Sequence, residues 1–319
     1  MQKNKTLNEK QKYNFFFIIN PNAGKEEAKQ KWPLIERILT QKKIKYSSAF
    51  TTKQGDAENY TIEKIYEGFR YFIVVGGDGT LNEVVNGIFR QNSVSYSEIF
   101  IGLIQMGTGN DWARYYGFNN NIENSVKRLE NINVKQQDVG KIIFNDSGEQ
   151  KEAYFINVAG LCFDAVVVKA TNAMKERGQR TKSAYLIALL SSLIKYKPWE
   201  LKIKINGTEL NGKFLSISIG NGKYSGGGMM QTPNAIIDDG LLDVTIYDDM
   251  PKSKIIRNVK KLYDGTVINV SGVKTFRCKT LQIENLNNQS VIFAETDGEI
   301  IGNGPYTISV LHNVLNILS

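Results

Sequence analysis

The chain has 319 residues, with 40 Lys and Arg against 32 Asp and Glu, a formal net charge of +8. Hydrophobic residues at 41% and charged residues at 23% exclude a disordered or collagen-like chain. Its two cysteines, Cys162 and Cys278, belong to no CxxC pair or Cys/His cluster, which excludes a disulfide scaffold and a zinc module, and the length suggests two domains. Residues 1–12 are polar, lack a cleavage-site pattern and read as a tail rather than a secretory signal. From Tyr13 on, strand-like apolar runs alternate with helical patterns: FFFII at 15–19, KQKWPLIERILTQKK from Lys29, YFIVV at 71–75, LNEVVNGIF at 81–89 and IFIGLI at 99–104. Such alternation predicts βαβ units, hence an α/β domain with a mostly parallel sheet over 1–135.

Beyond residue 135 the texture changes. EAYFINVAG, LKIKING, KFLSISIGNG, GLLDVTIYD, KTLQIEN, SVIFAETDGEII and YTISVL are short β-prone runs separated by Asn, Gly and Asp turns. Their spacing predicts an antiparallel sandwich or barrel over 136–305, ahead of a last segment, 306–319. AYLIALLSSLIKY reads as a helix within this region, and SKIIRNVKKLYDG as a second. The apolar stretch Ala184–Ile194 is interrupted by Ser191 and Ser192 and falls short of the roughly 20 residues a membrane span needs, so a soluble or peripheral cytoplasmic protein is expected. The single histidine, His312, is read as structural.

The sharpest local feature is a buried strand running into Gly76, Gly77, Asp78, Gly79 and Thr80 and then directly into a helix. Glycines let backbone N–H groups approach a phosphate, and the partial positive charge of a helix start favours the anion. Thr80 and Glu83 have capping-box spacing. Asp78 would repel a phosphate unless a magnesium ion lay between them; otherwise it is a solvated turn residue. Gly107, Thr108, Gly109, Asn110 and Asp111 follow IFIGLI, and Asn20, Pro21, Asn22, Ala23, Gly24 and Lys25 follow FFFII. All three loops would then lie at the carboxyl ends of parallel strands, where ligands bind in open sheets. None is a Walker A loop or a complete GxGxxG.

Two later segments carry acidic chemistry. Asp238 and Asp239 beside Gly240 would bind a hard cation or simply shape a turn. In Glu295–Thr296–Asp297–Gly298–Glu299, strand alternation would point Asp297 and Glu299 the same way, while Gly298 permits a turn. Facing a substrate, one carboxylate would accept a hydroxyl proton and the other organise metal and water.

In this order NPNAGK, GGDGTLNEVVNG, GTGNDWAR, GNGKYSGGGM, DDGLLDV and TDGE resemble the diacylglycerol kinase catalytic family, in particular the compact bacterial lipid kinases, with sphingosine and ceramide kinases as relatives. The resemblance runs from about Phe15 to the end; Met106 stands where the family commonly has a proline. It implies an α/β nucleotide-binding domain, a C-terminal β-sandwich, ATP in a cleft between them, and a chain end that returns to the first domain. It further implies Asp297 as general base with Glu299 as its partner, and Asp78 assisted by Asp111 in a magnesium–water network. Nucleotide contacts are implied for Gly77, Thr80, Thr108 and Asn110, more loosely for Asn20 and Lys25, and with them the glycines Gly76, Gly79 and Gly107. Asp239 and the Leu241 carbonyl would form a second, structural magnesium site. The expected activity is magnesium-dependent transfer of phosphate from ATP to a lipid alcohol, diacylglycerol foremost. The alternatives are a soluble-substrate kinase of the NAD kinase type and a catalytically silent nucleotide or lipid sensor.

Lys169–Lys197 carries a net +6 and Lys252–Lys279 a net +7. On one face they would draw the protein to anionic lipid at about 1 kcal/mol per well-placed cation. Leu186, Ile187, Leu189, Leu190, Leu193 and Ile194 form either an interfacial stripe or the buried side of a core helix. A transient membrane partner is therefore expected, nucleic acid is not, and homodimerisation stays open.

Overall fold

The computed structural model describes residues 13–107, 109–118, 121–176, 182–286 and 292–319, with only the backbone of 175–176 and 182–186. The tail read over 1–12 and Thr108 lie outside the described residues. The chain divides into two compact units, one reaching to Gln137 and joined by Asn313–Ser319, the other Asp138–His312.

The first unit contains, in order, β1 (Asn14–Ile19), α1 (Glu27–Gln41), β2 (Lys45–Phe50), α2 (Asp56–Tyr66), β3 (Tyr71–Gly76), α3 (Asp78–Arg90), β4 (Phe100–Gln105), α4 (Asp111–Tyr115) and α5 (Ile122–Glu130). Its strands lie in the order β2–β1–β3–β4 with parallel pairing throughout, and Asn316 and Ile317 extend the sheet in parallel beside Phe100 and Ile101. Alternate residues of β1 serve opposite faces. Phe15, Phe17 and Ile19 pack with Trp32, Ile35 and Leu39 of α1 and with Val126 and Leu129 of α5. Phe16 turns the other way, its ring 5.1 Å from Phe69 and 6.3 Å from Phe72. A strand covered on both faces has no polar side to show, which is why β1 and β3 read as unbroken apolar runs. Each such side chain contributes about 1.5–3 kcal/mol on burial.

The second unit contains the greater part of β5 (Val134–Asp146), then β6 (Glu149–Phe155), β7 (Val158–Cys162), α6 (Phe163–Glu176), α7 (Lys182–Lys195), β8 (Trp199–Ile205) and β9 (Thr208–Gly220). After the short pair β10 (Tyr224–Ser225) and β11 (Met229–Met230) come β12 (Leu242–Asp248), α8 (Lys252–Asn258), α9 (Lys261–Asp264), β13 (Val273–Cys278), β14 (Thr280–Asn285), β15 (Phe293–Thr296) and the greater part of β16 (Glu299–Leu318). EAYFINVAG is two strands, β6 and β7, broken at Ile156 and Asn157. Antiparallel pairs join β9 to β7, β7 to β15, β15 to β16, β16 to β14, β14 to β8 and β8 back to β9. The ring closes because β9 is shared: Thr208–Phe214 pairs with β8, and Ser216–Gly220 with β7. Inward residues at period two, among them Leu201, Ile203, Ile205, Leu281, Ile283, Tyr306 and Ile308, fill its core. Both cysteines are buried and free, and His312 Nδ1 lies 2.8 Å from the buried Asp138. No described helix is long and apolar enough to cross a membrane.

Candidate active site

In the first unit three loops leave the carboxyl ends of the adjacent strands β1, β3 and β4. The ladder runs on into them, with Asn20 N–H donating to Val75 O at 3.0 Å and Met106 N–H to Gly76 O at 2.7 Å. Asn20 Nδ2 donates to Thr80 Oγ1 at 3.0 Å, and Asn110 Nδ2 to Gly107 O at 2.9 Å, so side chains tie the first loop to the second and close the third on itself. Glycine is demanded where these loops meet. A Cβ on Gly24 would stand 3.0 Å from Gly107 N and one on Gly77 3.3 Å from Met106 O, while Gly107 has φ +120°. Lys25 is exposed and left-handed at φ 60°.

Helix α3 starts at Asp78, with Gly77 as its N-cap and no side-chain cap. The capping box expected from Thr80 and Glu83 does not form. Thr80 already lies in the first turn with its hydroxyl taken by Asn20, and Glu83 instead accepts the N–H of Ala57 at 3.1 Å, at the start of α2. Burial raises the Glu83 carboxyl above its ordinary range. Gly76 and Gly79 flank this helix start, whose first-turn N–H groups have no intrahelical acceptor and suit an anion.

The Asp78 carboxylate accepts the N–H groups of Asp111 at 3.0 Å and Trp112 at 3.1 Å, binding the starts of α3 and α4 together. Burial raises Asp78 above the usual carboxylate range, and those two donors pull it back down. Asp111 is buried, with Arg114 Nε 3.9 Å from its Oδ1. The Trp112 indole and the Tyr116 hydroxyl both donate to Gln137 Oε1 at 2.9 Å and fix α4 from below. Among the described residues no three His, Cys, Asp or Glu gather for a metal. Asp78 and Asp111 nevertheless put two hard oxygen donors at adjoining helix starts, the small donor set that suits magnesium, which keeps water and takes phosphate oxygens.

In the second unit Asp297 and Gly298, at φ 49° and 92°, form a two-residue turn between Thr296 and Glu299, which pair across it. The turn, not strand alternation, therefore sets where Asp297 and the half-buried Glu299 stand. Asp297 Oδ1 accepts the N–H groups of Asn157 at 2.9 Å and Val158 at 3.1 Å, and Oδ2 that of Ile156 at 2.8 Å. Its own N–H donates to Val158 O at 3.0 Å. The break between β6 and β7 is thus the seat of this carboxylate.

Asp164 escaped the sequence reading, and Glu295, named there in its acidic segment, was given no role. Glu295 is buried and accepts the Gly298 N–H at 2.7 Å, and burial pushes it well above the ordinary range. Asp164 is buried, accepts Ser218 Oγ at 2.6 Å and Gln231 Nε2 at 3.0 Å, and is pushed up to about 6 by burial. They meet over Gly160, where a Cβ would lie 2.6 Å from Glu295 Oε1 and 2.7 Å from Asp164 Cβ. The legible signal was a charge set inside an apolar run, VAGLCFDAVVV and VIFAET.

Asp239 is held differently from the expected second magnesium site. Its Oδ2 pairs with the Arg277 guanidinium, which also reaches Asp243 Oδ2 at 3.1 Å, and its Oδ1 accepts the Leu241 N–H at 3.1 Å. A guanidinium thus supplies the positive charge beside Asp239, and the turn takes its other oxygen.

Residues 14–142 match the diacylglycerol kinase catalytic domain, and residues 157–319 the YegS C-terminal NAD kinase beta sandwich-like domain. A diacylglycerol kinase of Mycobacterium tuberculosis is 29% identical over 265 residues, covering 82% of this chain and 81% of that protein. A protein of Xanthomonas euvesicatoria named "probable lipid kinase YegS-like" is 30% identical over 217 residues, 66% of this chain and 67% of its own. A crystal structure of a diacylglycerol kinase from Bacillus anthracis, 22% identical, shares the fold with a TM-score of 0.69 over 96% of each chain. The chain, with its phosphate-type loops on one unit and its anchored Asp-Gly turn on the other, belongs to the lipid kinase family built from the diacylglycerol kinase catalytic domain and the YegS C-terminal domain.

Proposed function

We propose that the protein transfers the γ-phosphate of ATP to the hydroxyl of a lipid alcohol, diacylglycerol foremost, giving phosphatidate and ADP. The observation that carries this reading is the cluster of three loops at the ends of β1, β3 and β4, with its close-approaching glycines and the start of α3. Phosphoryl transfer through a loose transition state asks chiefly for positioning and charge neutralisation. The first-turn N–H groups of α3 hold phosphate oxygens, Gly76, Gly77, Gly79 and Gly107 leave room for them, and Asn20, Lys25, Thr80 and Asn110 contact the nucleotide. Asp78 and Asp111 would hold magnesium, which when bound neutralises phosphate charge. The substrate oxygen bonds to the γ-phosphorus, the bond from that phosphorus to the β–γ bridging oxygen breaks, and the hydroxyl proton passes to Asp297. Since two N–H donors occupy Oδ1 of Asp297, Oδ2 receives the proton, with Glu299 beside the turn as its partner.

The test incubates the protein with γ-labelled ATP and magnesium, diacylglycerol and other lipid alcohols in mixed micelles, and NAD in the buffer. Label extracted into the organic phase supports the reading. Label on NAD, separated from ATP and free phosphate, replaces it with a soluble acceptor, and no labelled product in either phase favours a binding protein.

A further inference from the structure

Helix α7 divides its apolar residues between two directions. Ala188, Leu189 and Leu193 are buried in the second unit's core, while Ile187, Leu190 and Ile194, spaced i, i+3 and i+7, are 55%, 38% and 73% exposed. Helix α8 packs beside it, with Lys252 Nζ donating to Ile194 O, and presents Ile256 at 55% exposure. Soluble surfaces scatter exposed hydrophobic residues singly, so four large aliphatic side chains on two adjacent helices ask for a partner. The charge around them names it. Residues 187–197 and helices α8 and α9, 252–264, hold seven Lys and Arg, among them the exposed Lys195, Lys197, Lys252, Arg257 and Lys260, against the single acid Asp264. Beside Ile194 lies a recess of about 840 Å³ with Val166 and Trp199 in its wall, and Trp suits the boundary between water and lipid. At 14 residues α7 is too short to span a bilayer; with Ala188, Leu189 and Leu193 held in the core, it has the exposed side of Ile187, Leu190 and Ile194 to lay on one.

We propose that the outer face of α7 and α8 is the docking surface for an anionic lipid bilayer, with Ile187, Leu190, Ile194 and Ile256 entering the interface and the surrounding cations meeting acidic headgroups. This deepens and rests on the lipid-kinase reading, since an acceptor dissolved in a membrane must be met at its surface.

The test is co-sedimentation with vesicles of phosphatidylcholine alone, or of phosphatidylcholine and phosphatidylglycerol in equal parts. It compares the wild type, the double variant Ile187→Ser with Ile194→Ser, and the double variant Lys195→Glu with Lys197→Glu. The wild type should pellet with the anionic vesicles and be released by salt. The isoleucine variant should bind about tenfold more weakly or worse, and the charge reversal about 25-fold or worse. All three should phosphorylate a short-chain, water-soluble diacylglycerol equally. Equal pelleting with both vesicle types, or variants that pellet like the wild type, overturns the surface. So does a wild-type dimer that ignores vesicles and becomes monomeric in the isoleucine variant. Failure of the kinase reading is distinguishable: vesicle binding would then be as described, with the short-chain lipid left unlabelled.

Discussion

Replacing Asp164 by Asn should change the pH dependence of stability in a calculable direction. Its carboxyl rises from an ordinary 3.8 to about 6 in the folded protein because burial penalises the charged form. The native state therefore binds the proton more tightly than the unfolded chain. This contribution is fully present below about pH 4 and is lost as the pH rises through about 6, flattening above it. A shift of roughly two units corresponds to about 3 kcal/mol. Asn keeps the local bonding: its oxygen accepts from Gln231, as Oδ1 does at 3.0 Å, and its amide donates to Ser218, whose hydroxyl rotates to accept. Asp164→Asn should thus be more stable than the wild type at pH 7, by up to about 3 kcal/mol, and the advantage should vanish near pH 4. Urea titration of both proteins from pH 4 to 8 measures it; because the charge on Asp164 raises Glu295, the difference between them reads Asp164 together with its coupling to Glu295. Curves of equal slope across that window, or a variant less stable at pH 7, would refute the buried-acid reasoning.

Gly107→Ala places a Cβ at φ +120°, a strain of about 1–3 kcal/mol; ATP affinity in an equilibrium titration should fall while the second unit's stability is unchanged. In Gly298→Ala nothing lies within 4 Å of the new Cβ but φ is +92°, so displacement of the Asp297 turn should lower kcat and leave KM for ATP near wild type. Glu83→Ala removes the acceptor of the Ala57 N–H and should cost about 1–2 kcal/mol in denaturant unfolding; Glu83→Gln, which can still accept, should recover most of it.

Much of the site's first half was legible because β1 and β3 are apolar on both faces and end in Asn or Gly, so the loops declared themselves. β2 did not: at a sheet edge only Tyr46 and Ala49 of its residues KYSSAF are half-buried and the rest are exposed, and it carries no apolar run. Helix α6 was hidden by its Val166–Val167–Val168 stretch, β-prone by composition yet helical where it packs on β7. The capping-box error shows how a local pattern loses to a distant partner, since Asn20, 60 positions away, claims the Thr80 hydroxyl. Asp239 is the same lesson in charge: its cation is Arg277, 38 positions on, which no local spacing announces. The Asp-Gly pair at 297–298 was a hairpin signal in its own right, and the carboxylate's role in it became visible only with the three N–H groups of 156–158 in place.

The central claim is tested most directly by measuring transfer of γ-phosphate to diacylglycerol in mixed micelles by the wild type beside Asp297→Asn, with folding of both verified. Asn tolerates the left-handed turn at φ 49° and its oxygen still accepts from Asn157 and Val158, but its amide faces the Ile156 N–H that Oδ2 now receives, so ATP affinity is measured beside turnover to separate the lost proton acceptor from a displaced turn. The account predicts phosphatidate from the wild type and a loss of about a hundredfold or more in the variant. Equal turnover by a folded Asp297→Asn would contradict it.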